Sequence, residues 1–438
     1  MENRKVIIVG AGIGGLAAGY WLSQRGYDTE ILEASERPGG RMATIERNGD
    51  KVDVGAQFYH SDYRHAFQLM DAVGISGEKR KIKGMMEFRL KDGSSFLYDH
   101  QVPYMKMLGL VGNLRLYWFI LRHVFFGRRF PMYRITKDIP EYDNMEVLDF
   151  FSSPSDKTLR DYLVTPVSFG ENMGLPQWMS LYHFISQFRL TTFTGFVGLT
   201  RGVSSLTEDL AKLLPVRYET SVRQLVMDKG RVAGVQLEQD GSIKRAGHVI
   251  VAVPPTSATR LMPDELEEQR EFFDSIIYSP LPMPVFFLDR PLRKDVWCYL
   301  SDPTVVRDFM MAINEHAKVP EMSPSGKGII TAWSGHPMTL DLIDLPDDQI
   351  ISKAREDVET MIPGFSQYIE DATVFRHPFG VTRYPPGSYR RVIDFRNKAN
   401  ELKGVSFVGS LFGGTMMEGA LISAAEAVRR VCGWGGTA

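Results

Sequence analysis

Along the first forty positions the spacing of apolar residues switches between two periods. Lys5-Val6-Ile7-Ile8-Val9 is a short apolar run, the pattern of a strand buried on both faces. It leads into Gly10-Ala11-Gly12-Ile13-Gly14-Gly15, after which Leu16, Ala17, Tyr20, Trp21 and Leu22 recur at helical spacing until Gly26 ends the segment. A second strand, Asp28 to Leu32, ends at Glu33. Further on, the pattern predicts a strand breaking at Gly55, a helix over 65–74, and a hairpin of Met86–Leu90 with Ser95–Tyr98 around Asp92-Gly93. Helices are expected over 156–163 and 176–188, and Leu206, Leu210, Leu213 and Leu214 mark an amphipathic one. The runs 216–226, 232–237 and 248–253 read as a β-meander whose last strand stops at Pro254-Pro255. Ile329–Trp333 is a clear strand, and Val405–Val408 is another, followed by a helix through Leu421, Ala425 and Val428.

The strand, glycine turn and helix at the start have the arrangement that holds a dinucleotide. Gly10 permits the tight turn, Gly12 lets backbone approach a pyrophosphate, and Gly15 lets the helix pack on the strand. Phosphates would lie against the free N–H groups and positive dipole end of that helix. Glu33, 18 positions after Gly15, is placed to accept hydrogen bonds from a ribose.

Between Asp99 and Asp138 the chain has no acidic residue, while Lys106, Arg115, Arg122, Arg128 and Arg129 punctuate a run rich in Met, Leu, Phe, Tyr and Trp from Met105 to Phe126. Arginines interrupt it too often for a transmembrane span, which needs about 20 apolar residues. Three readings stay open: an amphipathic element on an anionic membrane surface, a wall of an apolar substrate tunnel, or a buried helix with snorkelling arginines.

Composition narrows the classes. The 438 residues, 44% of them hydrophobic, can build two domains or one large composite one. With 51 Lys and Arg against 53 Asp and Glu, nothing global points to nucleic acid. Cys298 and Cys432 are far apart and outside any metal-ligand spacing, so neither a disulfide framework nor a metal site is expected. The N-terminal apolar run is too short for a signal peptide, and the expected compartment is the cytoplasm, with peripheral membrane contact left open.

The segment Glu33-Ala34-Ser35-Glu36-Arg37-Pro38-Gly39-Gly40-Arg41 resembles the one that follows the second strand in FAD enzymes of the amine oxidase, protoporphyrinogen oxidase and carotenoid (phytoene) desaturase superfamily. The C-terminal Gly413-Gly414-Thr415-Met416-Met417-Glu418-Gly419-Ala420 strongly resembles that superfamily's last motif. The resemblance implies an α/β fold, with a Rossmann-like, glutathione-reductase-type FAD-binding domain in pieces 1–80, 203–260 and 385–438. An interleaved α+β substrate domain would take 81–202 and 261–384, its helical part at 104–133 being the candidate for facing a membrane. It further implies that Gly10, Gly12, Ile13, Gly14, Gly15, Glu33, Ala34, Gly40 and Arg41 hold the ADP half, with Val222 at the adenine. Gly55, Ala56, Gln57 and Phe58 would meet the isoalloxazine ring, Gly409, Ser410 and Met417 would also contact the cofactor, the Ser410 hydroxyl at a ribityl or phosphate oxygen, and Tyr384 would lie on the substrate side. Helix-start N–H groups near Met417 would stabilise the charge that a reduced flavin carries at its N1 and C2 carbonyl end. No cysteine falls in the C-terminal motif, so the FAD is expected to be noncovalent.

The implied reaction is hydride abstraction from a C–H bond by flavin N5, with oxygen or a quinone as final acceptor. The leading expectation is an oxidase or desaturase of a large, mostly apolar small-molecule substrate, terpenoid-like or tetrapyrrole-like. A flavin amine oxidase is the alternative. Against it, Pro280-Leu281-Pro282-Met283-Pro284 lacks the lysine that such enzymes often carry there, and Met416 replaces a common aromatic residue. A third possibility is an FAD-dependent isomerase without net oxidation.

Overall fold

The computed structural model describes residues 4–99, 106–125 and 141–433. At its centre lies an all-parallel five-stranded sheet in the order Val216–Arg217, Asp28–Leu32, Lys5–Val9, His248–Val251, Val405–Phe407. Lys5–Val9 is flanked on both sides; helices cover one face and the strands Val222–Asp228 and Arg231–Leu237 pack on the other, so Ile7 and Ile8 are wholly buried. That is why the run has no polar alternation. The helix Ile13–Ser23 leaves the glycine turn and packs against the C-terminal helix Met416–Val431. The two ends of the chain thus meet on one layer.

A second, seven-stranded sheet runs Ile369–Thr382, Tyr278–Leu288, Gly328–Ser334, Phe309–Asn314, Val296–Ser301, Met85–Arg89, Ser95–Tyr98. It is antiparallel except where Val296–Ser301 pairs with Met85–Arg89. The expected hairpin closes it, and Asp92 Oδ1 accepts from the Ser94 N–H (2.9 Å) at the turn.

Three expectations from the pattern are corrected. Val222–Asp228, Arg231–Leu237 and Ile243–Arg245 form a separate antiparallel sheet, but His248–Val251 leaves it to pair parallel with Lys5–Val9. Its unbroken Val-Ile-Val run needs cover on both faces, which a half-exposed meander lacks. The helix expected over 176–188 is Leu181–Phe193, started by Ser180, whose hydroxyl accepts from the His183 N–H (3.1 Å). The helix expected over 156–163 continues to Asn172 because a wide turn, Arg160–Val164, precedes Pro166.

In the apolar basic stretch, a short 3₁₀ turn, Lys106–Leu108, leads into the helix Gly109–Phe119 and a wide turn, Ile120–Phe125. Met105, Phe126, Arg128 and Arg129 lie outside the described residues. Among the described residues no helix is long and apolar enough to cross a membrane.

Candidate active site

Between the two sheets lies a cavity of about 960 Å³. Of the residues singled out from sequence, Gly10, Gly12, Ile13, Gly14, Glu33, Ala34, Gly40, Arg41, Gly55, Ala56, Gln57, Phe58, Val222, Tyr384, Gly409, Ser410 and Met417 all line it. Gly15 does not. A Cβ there would lie 2.1 Å from the Gly10 carbonyl oxygen, so its lack of a side chain serves the packing of helix on turn. Gly10 sits at φ +102°, with the Ala252 carbonyl oxygen 2.7 Å from where its Cβ would be.

Gly12 and Gly409 are different. Both have backbone angles that any residue adopts, and a Cβ added at either would meet no protein atom within 4 Å. Both face the cavity, so what excludes a side chain there is whatever fills it. The helix start beyond Gly12 has no side-chain cap and no acid in its first turn, which suits it to an anion. Glu33 lies beside it, accepting from the Ala11 N–H (2.7 Å) and from the Ser35 N–H (2.9 Å). Bare glycines, an open helix start and a carboxylate in one cleft fit a dinucleotide.

At the other end of the chain, Gly413, Gly414 and Gly419 interlock. A Cβ at Gly419 would lie 1.4 Å from the Gly414 carbonyl oxygen. Met416 is held at φ +64°, a strained conformation for a side chain of its size. The Thr415 hydroxyl accepts from Gln187 Nε2 (2.7 Å). Glu418 turns away and is 2% exposed; its carboxylate accepts from the N–H groups of Arg64 (3.0 Å), His65 (2.8 Å) and Ala66 (3.2 Å). It therefore caps the helix Arg64–Ala72, whose own N-cap residue, Tyr63, offers no side-chain bond.

Behind the Gly55–Phe58 loop is a charged cluster that sequence reasoning missed. Lys318, fully buried, donates to Gln57 Oε1 (2.7 Å) and Asp53 Oδ2 (3.1 Å) and forms an ion pair with Glu315, its Nζ 2.5 Å from Oε2. Burial works to lower the Lys318 pKa, but Asp53 and Glu315 outweigh it and hold the ammonium above its ordinary value. Burial pushes Glu315 up to about 7, against the pull of Lys318. Gln57 passes the restraint on through Nε2 to the Asp53 carbonyl (2.7 Å), which fixes the loop. In sequence Glu315-His316-Ala317-Lys318 looks like a solvated helical turn, and no periodicity marks it.

Tyr384 stacks on His183 (ring centroids 4.3 Å apart), and burial raises its phenol pKa; its hydroxyl is buried without a hydrogen-bond partner. Burial, helped by Arg383, lowers His183 to about 3, so it is neutral, and its Nδ1 meets the Tyr389 hydroxyl (2.7 Å). Cys298 lines the cavity as a protonated thiol, its pKa raised by burial. Among the described residues no cluster of side chains could hold a metal ion.

The family model for flavin containing amine oxidoreductases matches residues 13–432. The chain belongs to that family. That family is one of flavin-containing oxidoreductases, and the cavity's glycine-lined cleft fits such a cofactor. Similar proteins span the superfamily's branches. Coproporphyrinogen III oxidase of Staphylococcus aureus is 22% identical over 431 residues, 89% of this chain and 90% of that one. A neurosporene-forming phytoene desaturase of Cereibacter sphaeroides is 24% identical over 280 residues, 56% of this chain and 52% of that one. For relatives from Mycobacterium tuberculosis that carry a provisional monoamine oxidase name, the match spans 57% of their length. Among solved structures, cyclohexylamine oxidase from Brevibacterium oxydans superposes with a TM-score of 0.75 at 15% identity over 99% of both chains, a likeness of fold alone.

Proposed function

We propose that this flavoenzyme is an oxidase or desaturase that removes a hydride from a C–H bond of a large, mostly apolar substrate. The observation that carries this reading is the cavity wall beyond Phe58: Met86, Leu116, Tyr162, Phe188, Phe196, Trp297, Leu300, Met311 and Ile313 are all aromatic or aliphatic. Among the described residues the lining cations are Arg41, Arg223 and Arg260, on the Gly39–Met42, Thr220–Arg223 and Pro254–Leu261 segments of the cofactor side. Tetrapyrrole carboxylates would find no arginine or lysine partner on the apolar side, which favours a terpenoid-like skeleton.

Bound FAD supplies the hydride acceptor, and oxygen or a quinone takes the electrons onward. The protein's part is placement. The Gly10–Gly15 turn and its helix start would hold the pyrophosphate, Glu33 the ribose, and backbone at Val222 the adenine. Gly55–Phe58, fixed through Gln57, and the helix start at Met416 and Met417 would flank the ring system, and the apolar walls exclude water. We assign pieces 1–80, 203–260 and 385–438 to cofactor binding and 81–202 with 261–384 to the substrate. In support, the parallel sheet draws its strands from the former pieces alone and the seven-stranded sheet from the latter alone.

The test is anaerobic titration of the yellow protein with long isoprenoid hydrocarbons, a reduced tetrapyrrole and alkylamines. Bleaching by the hydrocarbons without added reductant is expected. Bleaching by amines alone would replace this reading with the amine oxidase one, and bleaching only after added reductant would favour an isomerase.

The reading extends to a membrane surface. On the helix Gly109–Phe119 and the turn after it, Leu110 (77% exposed), Val111, Leu114, Tyr117, Trp118 and Leu121 are all exposed. At 3.6 residues per turn they share an arc of roughly 120°. Exposed Arg122 borders that arc, whereas Arg115 is engaged with Asp156 (2.5 Å). Leu116, on the opposite face, lines the cavity, so the helix joins an apolar exterior to the apolar interior. Sedimentation with anionic vesicles is expected, reduced severalfold by Arg122→Glu and abolished by Leu114→Glu; equal recovery of all three proteins without vesicles would reject membrane contact.

A further inference from the structure

On its substrate side the cavity holds a pair of side chains, one of which has an unmet hydrogen-bonding requirement. Glu171 closes the helix Thr165–Asn172 and is 9% exposed; His60, on the strand Tyr59–His60, is 1% exposed. Both line the cavity. The Thr191 hydroxyl donates to Glu171 Oε1 (2.6 Å), which fixes the carboxylate. Its other oxygen, Oε2, lies 3.8 Å from His60 Nε2.

Which ring nitrogen of His60 carries the proton follows from Thr194. When the Thr194 hydroxyl gives its hydrogen to the Leu190 carbonyl (2.8 Å), it accepts from His60 Nδ1 (2.7 Å). In that arrangement the neutral ring carries its proton on Nδ1, and Nε2 presents a lone pair. That Nε2 is buried and has no hydrogen-bond partner. Two acceptors thus face each other across a gap that one donor atom, about 2.9 Å from each, can bridge. A buried acceptor without a donor is unfavourable, so a ligand that supplies one is selected over one that does not.

The pair stands close to the reacting end. Thr191, which holds Glu171, and Gln187, which holds Thr415, are one turn apart on the helix Leu181–Phe193, roughly 6 Å along its axis. Thr415 precedes the helix start that faces the cofactor side. A head group at Glu171 therefore presents its neighbouring C–H bonds, not those of a distant tail.

We propose that Glu171 and His60 form a two-acceptor clip that holds one N–H or O–H donor on the otherwise apolar substrate and so determines which carbon is oxidised. This rests on the reading of the apolar end as the substrate site. The test is binding of dodecylamine, dodecanol and dodecane to the FAD-loaded enzyme under anaerobic conditions, followed by perturbation of the visible flavin spectrum. At least one of the two donors is expected to bind tenfold or more tightly than dodecane, and Glu171→Gln to remove that advantage while dodecane binding stays unchanged. An advantage confined to the amine or to the alcohol supports the clip in either case and identifies its donor.

Thr194→Val replaces neither member of the pair but removes the hydroxyl bonded to His60 Nδ1. It lets the His60 proton move to Nε2, where it would bond Glu171 and close the gap, so the same loss of donor preference is expected. If Glu171→Gln does not retain FAD, Thr194→Val decides. Equal affinity for all three ligands in the unaltered enzyme, or a donor advantage that survives Thr194→Val, overturns the proposal. Glu171-dependent binding of a donor with no binding of dodecane would leave the clip standing and sink the apolar-substrate reading.

Discussion

The two ends of the cavity are made of different material. The cofactor end is mostly backbone, with glycines at 10, 12, 14, 40, 55 and 409 and helix starts after Gly12 and Thr415. The substrate end is side chain, with aromatic rings around Glu171 and His60 drawn from segments far apart in the chain. A site built from backbone imposes a residue type, glycine, at fixed spacing, whereas a site built from side chains imposes only a position in space. Specificity in this family can therefore vary at one end while the other is held.

The largest effect expected from that contrast is at Gly15. Gly15→Ala places a Cβ 2.1 Å from a carbonyl oxygen that cannot move without opening the turn. Loss of bound FAD and destabilisation of more than about 3 kcal/mol are expected. A variant that purifies yellow with an unchanged urea midpoint would break the backbone account.

Lys318→Met comes next. It strands Asp53 and Glu315 without a cation, with an expected cost of about 3–5 kcal/mol in denaturant unfolding. The same cluster sets a pH dependence. Glu315 has a folded pKa near 7 against an ordinary 4.5, so the folded state keeps its proton longer than the unfolded one. Its contribution is present below pH 4.5, and stability falls as pH rises toward 7. Glu315→Gln should flatten that part of the profile; an unchanged slope would assign it to other groups.

Those two positions also mark what could be read in advance. Gly15 was legible because a strand, a glycine turn and a helix leave few alternatives, and the C-terminal Gly-Gly and Glu-Gly-Ala were legible for the same reason. Lys318 was not, because its partners Asp53 and Gln57 are over 250 positions away and meet it only once the second sheet has folded. Glu171 sits in a stretch of helix beyond the expected end at Leu163, and His60 follows the flavin-side loop with no periodic signal of its own. His248–Val251 was placed in the wrong sheet because local pattern shows how many faces a strand buries but not which partner covers them.

Glu33→Ala tests the carboxylate to which sequence assigned a hydrogen bond with the cofactor's ribose. Loss of a charge-assisted bond of about 1.5–3 kcal/mol predicts roughly 10- to 100-fold weaker FAD binding by equilibrium dialysis. An unchanged affinity would leave the cofactor end to backbone alone. The smallest effect is expected at Tyr384, whose buried hydroxyl has no partner to lose. Tyr384→Phe should change stability by less than about 1 kcal/mol, and a fall of several kcal/mol in thermal unfolding would mean that the hydroxyl is bonded in solution.

Glu418 has a consequence for the order of events during synthesis. It caps the helix Arg64–Ala72 from more than 350 positions downstream, while Val405–Phe407 supplies the last edge of the parallel sheet. A nascent polypeptide therefore exposes an uncapped helix and an incomplete sheet until Val405–Glu418 has left the ribosome. The cleft cannot close without Val405–Glu418, so chains stalled short of Val405 should emerge colourless.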